Sequence, residues 1–140
     1  VHGHRKLIEK MGAPSSLQEA RSFPFIGFDR EPSARRMLKD FGMPISRDLF
    51  AYRCDSDVGQ FAALKAGFGF GYCQYPLAQH YPDLVAVMPG IHEFELDIWI
   101  VMHEDLKTSR RMRLMFDHLA EEMTAYARGV PSPMRGRRAG

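Results

Sequence analysis

The stretch Cys54–Pro76, CDSDVGQFAALKAGFGFGYCQYP, decides how the rest of the chain is read. Asp55, Ser56 and Asp57 carry short side-chain oxygens, the chemistry that accepts hydrogen bonds from the orphan N–H groups of a first helical turn. Val58, Phe61 and Ala62 then recur at i, i+3 and i+4, which predicts one apolar helical face. Gly67 falls where a left-handed residue ends a helix without a Cβ penalty. Phe68–Cys73 follows as an apolar run broken only by glycines and predicts a buried strand, which Pro76 keeps from extending. Helix, tight turn and buried strand in succession form the αβ unit of a parallel sheet. Ligands of such sheets lie at the carboxyl ends of the strands, beside helix N-termini. Ser56 is therefore the first candidate for a functional contact.

Working upstream, Leu49–Arg53 reads as a strand that runs straight into this stretch, and Phe23–Phe28 (FPFIGF) as another, bounded by Asp29 and Pro32. Ser33 can cap a helix over 34–41, with Met37, Leu38 and Phe41 on one face and Gly42 and Pro44 at its end. Arg5–Met11 is a short helical pattern stopped by Gly12 and Pro14, and Ser15 or Ser16 caps a second turn through Ala20. Downstream, Leu77–His80 makes a helical turn and Leu84–Met88 a short strand before Pro89 and Gly90. The continuous apolar run Ile98–Met102 (IWIVM) predicts a central strand covered on both faces. Ser109 caps the longest helix, to about Arg128, and Met112, Met115, Phe116, Leu119 and Met123 give it one buried stripe. Segments up to Met88 thus make a small α/β lobe. One strand and one helix after Gly90 are too little to bury a sheet, so the remainder of a second lobe is expected upstream of Val1.

The 140 residues, 45% of them hydrophobic, suffice for one modest core, and a net charge of +2 is too small to argue for a nucleic-acid surface. The tail arginines Arg135, Arg137 and Arg138 outweigh that whole net charge, so residues 129–140 read as a disordered basic tail. Cys54 and Cys73 match neither a disulfide framework nor a zinc spacing and read as buried thiols in a reducing cytoplasm. No run reaches the ~20 apolar residues of a membrane helix.

Four sets of residues invite chemistry. Gly67, Gly69 and Gly71 follow a helix and open a strand, whereas dinucleotide loops do the reverse, so close packing explains them. His92, Glu93, Glu95 and Asp97 with His103, Glu104 and Asp105 are rich in metal-ligand types. Without an HExxH helix they read as a solvated strand start and a polar turn, and no metal is expected. Ser56, Cys54 and Cys73 lack a nucleophile elbow or a base, and His118 sits beside the long helix's stripe, so no catalysis is expected. Ser56 itself admits two readings. It is a plain N-cap, worth about 1 kcal/mol, or its hydroxyl and the first-turn N–H groups face a carboxylate-bearing small molecule. Asp55 and Asp57 would repel such an anion unless they point away.

The runs FPFIGFDRE, DSDVGQFAALKAGFGFGYCQYPLA, PDLVAVMPG and LDIWIVMHEDLKTSRRMRLMFDHLAEEM, in this order and spacing, resemble the effector-binding domain of LysR-type transcriptional regulators over Val1–Arg128. The resemblance implies an α/β fold of the periplasmic-binding-protein type, two lobes joined by two crossing strands, with a small effector in the cleft. Residues 1–4 would be the first crossing, 5–89 a complete second lobe and 90–128 the return to a first lobe only partly present here. The lining implied for the cleft is Phe28 and Asp29 after the first strand, Ser56, Asp57 and Gln60 at the helix start, and the strand end Tyr72–Gln74. The implied partners are a small-molecule effector, a carboxylate or other small polar metabolite, and a homodimer or tetramer in a cytoplasmic full-length regulator. DNA would be bound through a domain upstream of Val1. No cofactor and no membrane are implied. Three other readings share these residues: a transporter's solute-binding protein, an enzyme on the same lobes and a truncated remnant of a regulator.

Overall fold

The structure, a computed structural model, describes residues 1–30, 36, 49–90 and 95–129. The helix read over 34–41 lies outside these residues except for Arg36, as do His92, Glu93 and the tail from residue 130. The chain divides into two units, Val1–Phe94 and Glu95–Gly140.

Among its described residues the first unit has four short strands: β1 (His2–His4), β2 (Phe25–Gly27), β3 (Phe50–Arg53) and β4 (Leu84–Ala86). β2 and β3 pair in parallel, and β1 and β4 antiparallel with His2 opposite Ala86 and His4 opposite Leu84. The strand expected over Phe68–Cys73 contracts to two residues, and those two join the halves. Phe70 bridges Phe25 in parallel and Gly71 bridges His2 antiparallel. The order across the array is therefore β3, β2, Phe70–Gly71, β1, β4. The contraction has a local cause at each end: the Phe68 N–H closes the preceding helix, and Gln74 is already the N-cap of the next.

Helices α1 (Arg5–Met11), α2 (Leu17–Ala20), α3 (Asp57–Lys65) and α4 (Tyr75–Ala78) connect these strands. α1 starts at His4, whose Nδ1 accepts from the Lys6 N–H at 3.2 Å, and stops at Gly12 as read from the sequence. Ser16, of the two serines proposed, caps α2 by accepting from the Glu19 N–H at 3.2 Å. α3 ends in a Schellman motif: Gly67 takes φ 74°, its N–H donates to Leu64 O at 3.0 Å, and the Phe68 N–H donates to Ala63 O at 3.1 Å.

Neighbouring side chains on β2 point to opposite faces of the array, which separates two apolar layers. Phe25 joins Ala20, Phe70, Val87 and Met88, with Leu7 and Ile8 of α1 packed against them. Ile26 joins Ala63, Leu64, Ala78 and Leu84 beneath α3 and α4. The inward line of α3 is Gln60, Ala63 and Leu64, with Phe61 half-buried against the same cluster as expected, whereas Ala62 is exposed and Val58 is 79% exposed. Apolar packing sets this roll, because Ala63 and Leu64 are the α3 side chains that join Ile26 in one buried cluster. A Cβ on Gly69 would stand 2.6 Å from the Pro24 carbonyl oxygen, so the chain crosses there only without a side chain.

The second unit holds a 3₁₀ turn (Glu104–Leu106) and α5 (Arg110–Ala127). Ser109 is the N-cap residue of α5, but its hydroxyl makes no capping bond. Residues 95–103 form no strand, and Trp99 and Val101 are 80% and 88% exposed. A strand needs a neighbour to pair its backbone, and none of the described residues supplies one. The stripe on α5 is correspondingly split: Met112, Phe116 and Met123 are half-buried, while Met115 and Leu119 are exposed.

Two tests follow from the packing of the first unit. Gly69→Ala should lower unfolding free energy by about 1–3 kcal/mol through overpacking, whereas Gly71→Ala, whose added Cβ meets Ile26 at an ordinary 3.5 Å, should be nearly neutral in urea titrations. Equal losses at both positions would contradict the crossing geometry. His2 is 5% exposed, and burial lowers its imidazole pKa to about 4. A base with a depressed folded pKa contributes stability above its ordinary value near 6.5 and loses it as pH falls toward 4. After allowance for solvent screening the loss should be about 1–2 kcal/mol. His2→Gln should flatten this part of the pH–stability curve.

Candidate functional site

Because β2 and β3 are parallel, their carboxyl ends open on the same edge. The ladder continues one step past the strands, with the Cys54 N–H donating to Gly27 O at 3.0 Å. Beyond it the turn Phe28–Arg30 runs beside Cys54–Asp57. The Asp55 carboxylate ties the two together, accepting from the Asp29 N–H at 2.8 Å and from the Arg30 N–H at 3.0 and 3.1 Å. The Asp29 carboxylate is flanked by two guanidinium groups, Arg30 Nε at 3.5 Å and Arg53 Nε at 3.9 Å.

Ser56 stands at the start of α3 in extended backbone, φ −94° and ψ 117°. Its Oγ accepts from the Gly59 N–H at 3.2 Å, and its carbonyl from the Gln60 N–H at 2.9 Å. Its own N–H points at Cys54 Sγ, 3.4 Å away. Gln60 folds back so that Nε2 donates to the Cys54 carbonyl at 2.6 Å. The Asp57 carboxylate, exposed on the first turn, makes no hydrogen bond or ion pair among the described residues.

The structure thus brings Phe28 and Asp29 together with Ser56, Asp57 and Gln60 along one edge. Tyr72 does not present its hydroxyl to that edge: the oxygen is buried, and burial raises the phenol above its ordinary pKa. Three residues of this edge go beyond the sequence reading. Asp55 was legible as capping chemistry, yet it serves the turn after β2 and not its own helix. Arg53 pairs with Asp29 across the strands, which only the parallel register reveals, and Arg30 pairs with it from the neighbouring position on the turn. Among the described residues no group of three His, Cys, Asp or Glu side chains could hold a metal ion, and His103 instead accepts from the Asp105 N–H at 3.3 Å to start the 3₁₀ turn. No helix among them is long and apolar enough to cross a membrane.

Residues 4–124 match the family model described as the LysR substrate binding domain. No curated protein and no solved structure matches the chain.

Asp55→Ala should release the amides of Asp29 and Arg30, raising their hydrogen exchange and costing about 1.5–3 kcal/mol, the range for hydrogen bonds to a charged group. Ser56→Ala should cost about 1 kcal/mol through loss of the cap and leave those two amides protected. Protection of both amides in Asp55→Ala would contradict the tie between the two turns.

Proposed function

The chain belongs to the LysR substrate-binding family, and we propose that it is the ligand-sensing part of a DNA-binding transcriptional regulator. Domains of this family belong to regulators, and the reading here is recognition without catalysis. The observation that carries it is the meeting of a serine-capped helix start with the turn after β2 at the carboxyl edge of parallel strands, the place where sheets of this kind receive ligands. Ser56, Asp57 and Gln60 would touch the effector from α3, and Phe28 and Asp29 from the turn. Tyr72 would contribute by packing, since its oxygen lies inside.

In this reading residues 1–4 cross between lobes, 5–89 form one lobe and 90–128 return to the other. The effector favours a closed arrangement of lobes over an open one, by its difference in affinity for the two. A homodimer or tetramer relays that shift to DNA, which a separate domain of a cytoplasmic full-length regulator would contact.

Ser56→Ala in the full-length regulator should shift the effector dose response of transcription to higher concentration while DNA affinity without effector stays unchanged. A dose response identical to that of the parent protein would remove Ser56 from the site.

A further inference from the structure

We infer that Met88 is a switch residue held by packing: the chain at the end of β4 has a second conformation, in which Met88 relaxes to extended backbone and its side chain leaves the layer of α1 and α2. Met88 is the one non-glycine among the described residues with a positive φ, 54°, and it is only 5% exposed. The face pattern of β4 shows what that angle does. Successive side chains of a strand alternate between its two faces. Leu84 lies in the Ile26 layer and Val87, three positions on, in the Phe25 layer, as alternation requires. Extended backbone would send Met88 back to the face of Leu84 and Ala86. It joins Val87 in the Phe25 layer instead, with Ala20 and Phe70. One left-handed residue thus brings two consecutive side chains into one layer.

The backbone preferences at this position run the other way. A left-handed residue brings its Cβ against the following carbonyl oxygen, a clash that glycine avoids and methionine does not. Pro89 comes next, and a proline ring pushes the residue before it toward extended backbone. The ladder ends just ahead of Met88, with the Val87 N–H donating to Val1 O at 3.0 Å, and Gly90 at φ 75° turns the chain again just after it. Burial of the Met88 side chain is therefore the force that holds the angle. Relaxed, that side chain would stand beside Ala86, which is exposed, and would lose its burial. Local strain of this kind and the burial of one methionine are of the same order, so neither conformation lies far below the other. Looser packing around Phe25 and Phe70 releases Met88, and the direction in which the chain leaves β4 changes with it.

The test uses the full chain and needs no ligand. With carbon-13 at the methionine methyl groups, and Met88→Leu to identify its signal, the Met88 methyl should exchange between a position shifted upfield by the aromatic layer and one at the solvent value. The exchange is read as a second peak or as broadening resolved by relaxation dispersion. A single sharp upfield signal would overturn the second conformation, and a single signal at the solvent value would overturn the docked one. Stability supplies an independent arm. At Val87, still on the ladder, Val87→Gly should unfold more readily than Val87→Ala, the ordinary order. At position 88 the order should invert, because only glycine takes the left-handed turn without strain. The unfolding equilibrium constant of Met88→Ala should then lie roughly three- to tenfold above that of Met88→Gly in urea titrations. Met88→Ala as stable as Met88→Gly, or more so, would overturn the strain on which the switch is built.

Discussion

The pairing of Phe70 is the constraint on which the first unit depends. Its N–H donates to the Pro24 carbonyl at 2.8 Å and its carbonyl accepts from Ile26 at 2.7 Å, while the next residue exchanges bonds with His2 on the other side. The ring is fully buried, edge-on to Phe23 at 5.5 Å between centroids and against Phe25 at 5.9 Å. It also lies where a Cβ on Gly3 would be, so β1 approaches only because residue 3 has no side chain. One residue therefore supplies the hinge of a mixed array, parallel toward β3 and antiparallel toward β4, and the apolar mass that holds the layer of α1 and α2.

The edge where α3 meets the turn after β2 inherits its geometry from this joint. The Phe70 bonds set the position of β2 and the close of α3 sets where Phe70 begins, so the start of α3 and the end of β2 cannot move independently. Parallel pairing then delivers Gly27 and Cys54 to the same level, and the ties of Asp55 and Arg53 to the turn after β2 are short in space and long in sequence. The edge is a product of strand register, not of a contiguous motif.

That difference explains what could be read from the residues. Local signals were strong where a local group does the job: Gly12 and Gly67 as helix stops, Ser16 and Ser56 as caps, Arg5–Met11 as a helix. They were weaker where tertiary packing decides. The apolar spacing of Val58, Phe61 and Ala62 suggested one face of α3, but packing on the array centres on Ala63 and Leu64, keeps Phe61 at its margin and leaves Val58 outside. The IWIVM run carries the composition of a central strand, yet a strand is a property of a pair, and composition cannot supply the second member. At the site, the residues that matter for charge, Arg53 and Asp55, gave no sign of their partners because those partners lie 24 to 26 positions away.

The tie made by Asp55 also bears on the kinetics of recognition. A loop that must be ordered by its ligand adds an entropic cost to every encounter and slows the approach to the final complex. Here the turn Phe28–Arg30 is fastened by the protein's own carboxylate before any small molecule arrives. Little of the surface that α3 and this turn offer has to be assembled on arrival. If the proposed effector site is correct, association with it should run close to the rate at which a rigid patch is found by diffusion, and differences between competing small molecules should be expressed in how long each one stays.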